Sequence, residues 1–207
     1  YEGSAGTIEN DDLDEAELET FLRSAFVNVN AHTKPGGCWY VAAPSGPLFG
    51  TFGKVLKELD VWRHTLVWVK DAFVLGRADY HYRHESLFYG WSPGAAHREP
   101  PDRSQDTVWE FPRPRRSPDH PTSKPVPLIA RAIQMSSAQN ELVVDAFTGS
   151  GSTLIACHET GRQFAGIELS PRFCDVIVGR WQGVAGQAAV LDGTNKTFEE
   201  VSQDRHG

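Results

Sequence analysis

The chain has 207 residues, enough for one domain with a substantial core. Hydrophobic residues make up 40% and charged residues 23%, an ordinary balance for a globular protein, and no apolar run approaches the ~18 residues of a membrane span. No charged-then-apolar leader points to secretion, so a cytoplasmic setting is expected. The three cysteines, Cys38, Cys157 and Cys174, are odd in number and far apart, which argues against a disulfide framework or a metal cluster and for reduced thiols.

The net charge of −7 is concentrated at one end. Residues 1–20 hold eight acids and no Lys or Arg, leaving 20 basic against 19 acidic residues in the rest of the chain. The acidic run reads as a solvated helix face, and the remainder is neutral enough to carry a local basic groove.

In chain order, residues 10–30 read as an amphipathic helix. Asp14 and Glu17 have capping-box spacing, and Leu18, Phe21, Leu22, Ala25, Phe26 and Val29 recur at helical intervals. Pro35-Gly36-Gly37 stops the helix. Cys38–Ala43 is then a buried strand, 48–59 a helix, and 61–69 and 83–90 two further strands joined by a loop or bent hairpin. Seven prolines between 91 and 123 leave room only for a short strand near 108–111. Regular alternation returns with a helix at 126–135, a strand at 141–145, a helix at 152–160 and a strand at 163–168. Ser170 and Pro171 then open a helix to about 183, and a last strand is expected at 188–191. This alternation implies an α/β fold with a mostly parallel sheet.

The sharpest feature is Val143-Val144-Asp145-Ala146-Phe147-Thr148-Gly149-Ser150-Gly151-Ser152-Thr153, an apolar strand that runs into an acid, a Gly-x-Gly turn and a helix. Glycines let the backbone bend tightly and approach a ligand, and the crevice beyond the carboxyl end of a parallel strand is where such sheets bind ligands. The next strand ends at Glu168, 23 residues on, an offset at which a carboxylate can accept from ribose hydroxyls. A nicotinamide-binding turn is the rival reading. It lacks its third glycine here, and Asp145 would repel a pyrophosphate but suits a cationic ligand.

Here the sequence resembles the S-adenosylmethionine-dependent N-4 cytosine/N-6 adenine DNA methyltransferases. Asp145–Thr153 is similar to their cofactor motif, His120-Pro121-Thr122-Ser123-Lys124-Pro125 to their His-Pro-Thr-Gln-Lys-Pro element, and Gly166-Ile167-Glu168 to their Gly-x-Glu element. Ser123 departs from the family's Gln. The order of the elements matches the β-class arrangement. The resemblance implies a Rossmann-like class I methyltransferase sheet in circularly permuted order, catalytic half before cofactor half. It implies one methyltransferase domain over 1–207, with an irregular Pro/Arg-rich insertion at 91–119. S-adenosylmethionine would be held by Asp145, Phe147, Thr148, Gly149, Ser150, Gly151, Ser152, Thr153, Glu168 and Leu169, with His120, Pro121, Lys124 and Pro125 closing the site.

The resemblance further implies site-specific methylation of an exocyclic amine, on adenine ahead of cytosine N-4, within a restriction–modification setting. The family's catalytic tetrapeptide, Asp/Ser/Asn-Pro-Pro-aromatic, positions that amine and stacks on the flipped base. It is expected upstream of Tyr1, so no catalytic residue is assigned. Glu99-Pro100-Pro101-Asp102 lacks the aromatic. A remnant that binds only cofactor or DNA is the alternative. Double-stranded DNA is the expected partner, a homodimer stays open, and its phosphate contacts are expected from Arg83, Arg113, Arg115 and Arg116, with Lys70, Arg77, Arg98, Arg103 and Trp109 nearby. His64, His81, His84 and His97 match no metal-site spacing.

Overall fold

The structure, a computed structural model, describes residues 12–73, 75, 79–102, 104–114 and 123–206, with side chains as far as Asp204. Helix α1 (Glu15–His32) begins where its capping box requires. Asp14 accepts from the backbone N–H groups of Ala16 and Glu17 at 2.9 Å, and Glu17 accepts in return from the Asp14 N–H at 3.0 Å. Of the expected apolar stripe, Leu22 and Phe26 are buried and Leu18, Ala25 and Val29 pack against the same core, whereas Phe21 lies at the exposed rim.

Strand β1 (Cys38–Ala43), helix α2 (Phe49–Glu58), strands β2 (Trp62–Val69) and β3 (His84–Trp91), and the short β4 (Val108–Glu110) complete this part of the chain. The four strands form one sheet in the order β1-β3-β2-β4. It is mixed: the β2–β3 hairpin turns β3 antiparallel to β1 and β2, while β4 runs parallel to β2. Strands β1, β2 and β4 therefore share a direction. One sheet face presents Trp39, Ala43 and Phe88 to α1 and α2, where they bury with Leu22, Phe26, Val55, Leu56 and Val61. Phe88 stacks on Phe49 at 4.5 Å between ring centres and meets Trp62 edge-on at 5.0 Å. Tyr40 and Tyr89, on the other face, pack at 4.9 Å.

The β2–β3 register slips by one residue. Trp62 faces Gly90 and His64 faces Tyr89, so Arg63 is an extra residue in the ladder. Gly90 permits this approach, because a Cβ there would stand 1.7 Å from the Val61 carbonyl oxygen, which accepts from the Trp91 N–H.

The chain divides into two compact units, Tyr1–Arg115 with Arg131–Ala138, and Arg116–Ala130 with Gln139–Gly207. Helix α3 (Val126–Ser136) runs through the division. The second unit continues with β5 (Leu142–Asp145), α4 (Ser152–Thr160), β6 (Gln163–Gly166), α5 (Pro171–Ala185) and α6 (Phe198–His206). Strands β5 and β6 pair in parallel, and Ile155, Ala156 and Cys157 of α4 with Phe173 and Ile177 of α5 bury. Leu142 and Val144, on one face of this pair, remain more than half exposed.

The strand expected at 188–191 is absent among the described residues; only a single bridge joins Val190 to Thr197. The reason is a tight reversal, in which the Leu191 N–H donates to the Lys196 carbonyl and Gly193 and Asn195 take positive φ. Helix α6 then starts from a reciprocal pair: Glu200 accepts from the Thr197 N–H at 2.8 Å and donates its own N–H to Thr197 Oγ1 at 3.3 Å. Ser170 occupies the N-cap of α5 as expected, but its side chain makes no capping bond.

Candidate cofactor site

In the second unit the chain leaves β5 at Asp145 and enters α4 at Ser152 through a turn that takes positive φ twice, at Gly149 (55°) and Gly151 (80°). Glycine adopts these values without the steric cost of a Cβ. Gly151 has a second reason: a Cβ would come within 3.1 Å of Ile177 on α5, so the turn rests directly on that helix. Among the described residues each Asp145 oxygen has one donor. The Phe147 N–H reaches Oδ1 at 3.0 Å and the Thr153 hydroxyl reaches Oδ2 at 2.6 Å.

Glu168, just beyond β6, is fixed the same way. The Gly149 N–H donates to one of its oxygens at 2.8 Å and the Ser170 N–H to the other at 2.9 Å. The Thr148 N–H to Ile167 carbonyl bond and the Ile167 N–H to Asp145 carbonyl bond stitch the turn to the exit of β6. Both acids therefore attach to one glycine turn. A carboxylate has about four acceptor sites, so each keeps roughly two beyond those used here. Phe147 and Leu169, both more than half exposed, flank them with apolar surface. Cys157 is fully buried in α4, and burial, followed by the nearby Asp145, pushes its thiol up to about 11. Burial, then Glu168 and Asp175, also raises the Cys174 thiol.

The remaining expected cofactor residues divide. Thr148, Ser150 and Ser152 are buried. The Thr148 hydroxyl donates to the Asp145 carbonyl, and Ser150 shares a hydrogen bond with Ser123 at 2.8 Å. The Ser152 hydroxyl is without a hydrogen-bond partner among the described residues. Thr153 bonds to Asp145 itself, which makes it a support for that carboxylate. Pro125 is buried and Lys124 half-buried at the approach to α3. His120 and Pro121 lie outside the described residues. The residues that are described suit a group combining a positive charge with a vicinal diol: two oriented acids on a half-buried Gly149 turn, with apolar flanks.

In the first unit, Arg83 is exposed and its Nε donates to the Lys70 carbonyl at 3.1 Å. The Arg113 N–H donates to Asp71 at 2.8 Å, a bond that holds the Asp71 carboxyl below the usual range. Arg98 is exposed, and Arg77, Arg103, Arg115 and Arg116 lie outside the described residues. Two neighbours named from the sequence are not available to DNA. Lys70 is buried and pairs with Glu85 at 2.8 Å over the ring of Trp68. Trp109 is 3% exposed, packed between Tyr40 and the Arg131 guanidinium. The sequence reading missed the exposed rings of the 71–83 loop. Phe73 stacks on His81 at 5.2 Å, and Tyr80 and Tyr82 project into solvent. The run Tyr80-His81-Tyr82-Arg83 was the available signal.

A parallel strand pair with a glycine turn, one acid at its start and another at the end of the neighbouring strand defines a nucleoside-binding α/β unit of the Rossmann-like kind. The family model described as DNA methylase, for N6/N4 methyltransferases, matches residues 1–179, and the chain belongs to that family. It is 35% identical over 103 residues to the type II methyltransferase M.Cfr9I of Citrobacter freundii, covering 48% of this chain and 33% of that one. It is 41% identical over 70 residues to the DNA adenine methyltransferase YhdJ of Escherichia coli K12, covering 32% and 24%. The matches thus span about a third or less of these curated relatives. Among solved structures, the PvuII cytosine-N4-specific DNA methyltransferase superposes with a TM-score of 0.70 at 16% identity over 96% of this chain and 79% of that one. TTHA0409 of Thermus thermophilus, complexed with S-adenosyl-L-methionine, gives 0.64 at 24% identity over 88% and 83%. At these identities the structures establish a shared class I methyltransferase fold. No helix among the described residues is long and apolar enough to cross a membrane.

Proposed function

We propose that this chain carries out S-adenosylmethionine-dependent methylation of an exocyclic amine in DNA, on adenine N-6 or, as the second choice, cytosine N-4. The observation that carries the reading is the attachment of both Asp145 and Glu168 to one glycine turn. The two acids orient a cationic nucleoside, Glu168 toward its ribose and Asp145 toward its methionine end, while Phe147 and Leu169 cover its apolar surfaces. When bound, that group supplies an electrophilic methyl; the chain supplies position and exclusion of water. Lys124 and Pro125 close the site, together with His120 and Pro121. Double-stranded DNA is the substrate, contacted at its phosphates by Arg83, Arg113, Arg115 and Arg116, with 91–119 as the contacting insertion. Phosphate contacts of this kind contribute affinity more than sequence choice.

The test has two arms. Calorimetry should show that Asp145→Ala lowers S-adenosylmethionine affinity at least about 30-fold, the scale of losing a charge-assisted contact. Unchanged affinity in that variant would remove the cofactor assignment. Radiolabelled methyl transfer to duplex DNA tests the activity; cofactor binding with no transfer would reduce the chain to a binding unit. Arg83→Ala should weaken DNA binding about three- to tenfold across sequences and lower the salt slope by about 1.

A further inference from the structure

Ser150 stands between the two glycines of positive φ and is the one residue of that triplet with a side chain to anchor it. It is 4% exposed, and its hydroxyl meets Ser123 at 2.8 Å. Its carbonyl accepts from the Arg180 guanidinium on α5. The turn is thereby held on one side by α5, through Arg180 and Ile177, and on another by the segment that carries Lys124 and Pro125. Burial of Ser150 favours the hydroxyl pair, since an unpaired hydroxyl inside the protein is costly. A glycine-flanked turn has the most conformational freedom to lose, so a tether at its centre adds to the restraint from Glu168 and Arg180.

We infer that Ser123 and Ser150 form a latch that sets the position of the Lys124–Pro125 segment against the glycine turn, making both serines positioning residues for the cofactor. The inference rests on the cofactor reading above.

The test is a double-mutant cycle on the full chain, read as S-adenosylmethionine affinity by calorimetry beside thermal unfolding without cofactor. Ser123→Ala and Ser150→Ala should each weaken binding about three- to tenfold, the scale of one lost neutral hydrogen bond. The double variant should be no weaker than the weaker single variant, because both remove the same bond. Ser123→Gln, long enough to reach Ser150 with an amide, should return affinity to within about twofold of the parent, as expected for restored hydrogen bonding. Parent-like affinity in Ser123→Ala, even with a lowered unfolding temperature, would make the pair merely structural and overturn the latch. So would losses that multiply in the double variant. A parent chain that binds no S-adenosylmethionine would instead overturn the cofactor reading itself, an outcome separable from both.

Discussion

The two units are stabilised differently. In the first, the sheet buries an aromatic and aliphatic face against α1 and α2, with Phe88, Val55, Leu56 and Val61 each at most 1% exposed. In the second, β5 leaves Leu142 and Val144 open on one face, and order is concentrated in hydrogen bonds around one turn: Asp145 with Phe147 and Thr153, Glu168 with Gly149 and Ser170, Ser150 with Ser123. Apolar burial is non-directional and tolerates small shifts, whereas a turn held by directed bonds fixes the orientation of the groups on it. The contrast is that of a scaffold and a site.

The largest effect that tests this contrast is Phe88→Ala. It removes a ring packed on Phe49 and Trp62 and should cost about 3–5 kcal/mol by chemical denaturation. Val144→Ala should stay within about 0.5 kcal/mol. Similar costs at the two positions would erase the distinction. Next in size is Lys70→Met, which removes the Lys70–Glu85 ion pair inside the first unit. Glu85 keeps partial solvent access, so about 2–3 kcal/mol is expected rather than the full loss of a buried pair, and the substitution should leave the salt slope of DNA binding unchanged. A reduced slope would return Lys70 to the phosphate contacts.

Smaller again is the response of the second unit to alkali. The folded Cys157 thiol is raised to about 11, above its ordinary value, so its contribution to stability is complete below that ordinary value and is lost as pH climbs through about 11. Between about pH 9 and 11 the parent should lose on the order of 1–2 kcal/mol that Cys157→Ala does not lose, measured as the difference in their unfolding curves. Parallel pH profiles for the two proteins would show that the thiol ionises freely in the folded state.

Local chemistry made much of this structure legible. The Asp14–Glu17 spacing marks the N-cap of α1, which starts at Glu15 rather than at residue 10, and the acid-to-glycine pattern at 145–151 marks the turn. Thr197 and Glu200 have the same capping-box spacing and open α6, whereas the apolar run at 188–191 predicts a strand; there, the turn at Gly193 and Asn195 outweighs four apolar residues. Lys70 and Trp109 were misjudged for another reason. Their environments come from residues distant in sequence, Glu85 across a hairpin and Arg131 from α3, and no local pattern announces a partner of that kind. Likewise, Thr153 read as a ligand contact because it belongs to the motif, and only the fold shows its hydroxyl directed to Asp145. Arg180 has no motif at all.

The extra residue at Arg63 has an implication for insertions and deletions. Side chains along a strand alternate between faces, so the added residue resets the parity of the strand between Trp62 and His64. Excising Arg63 would therefore not simply shorten a connection. It would make Trp62 opposite Gly90 and His64 opposite Tyr89 consecutive pairs of a regular ladder, with Trp62 still on the face of Phe88, so that what the extra residue supplies is the bend and added twist of β2 at this point.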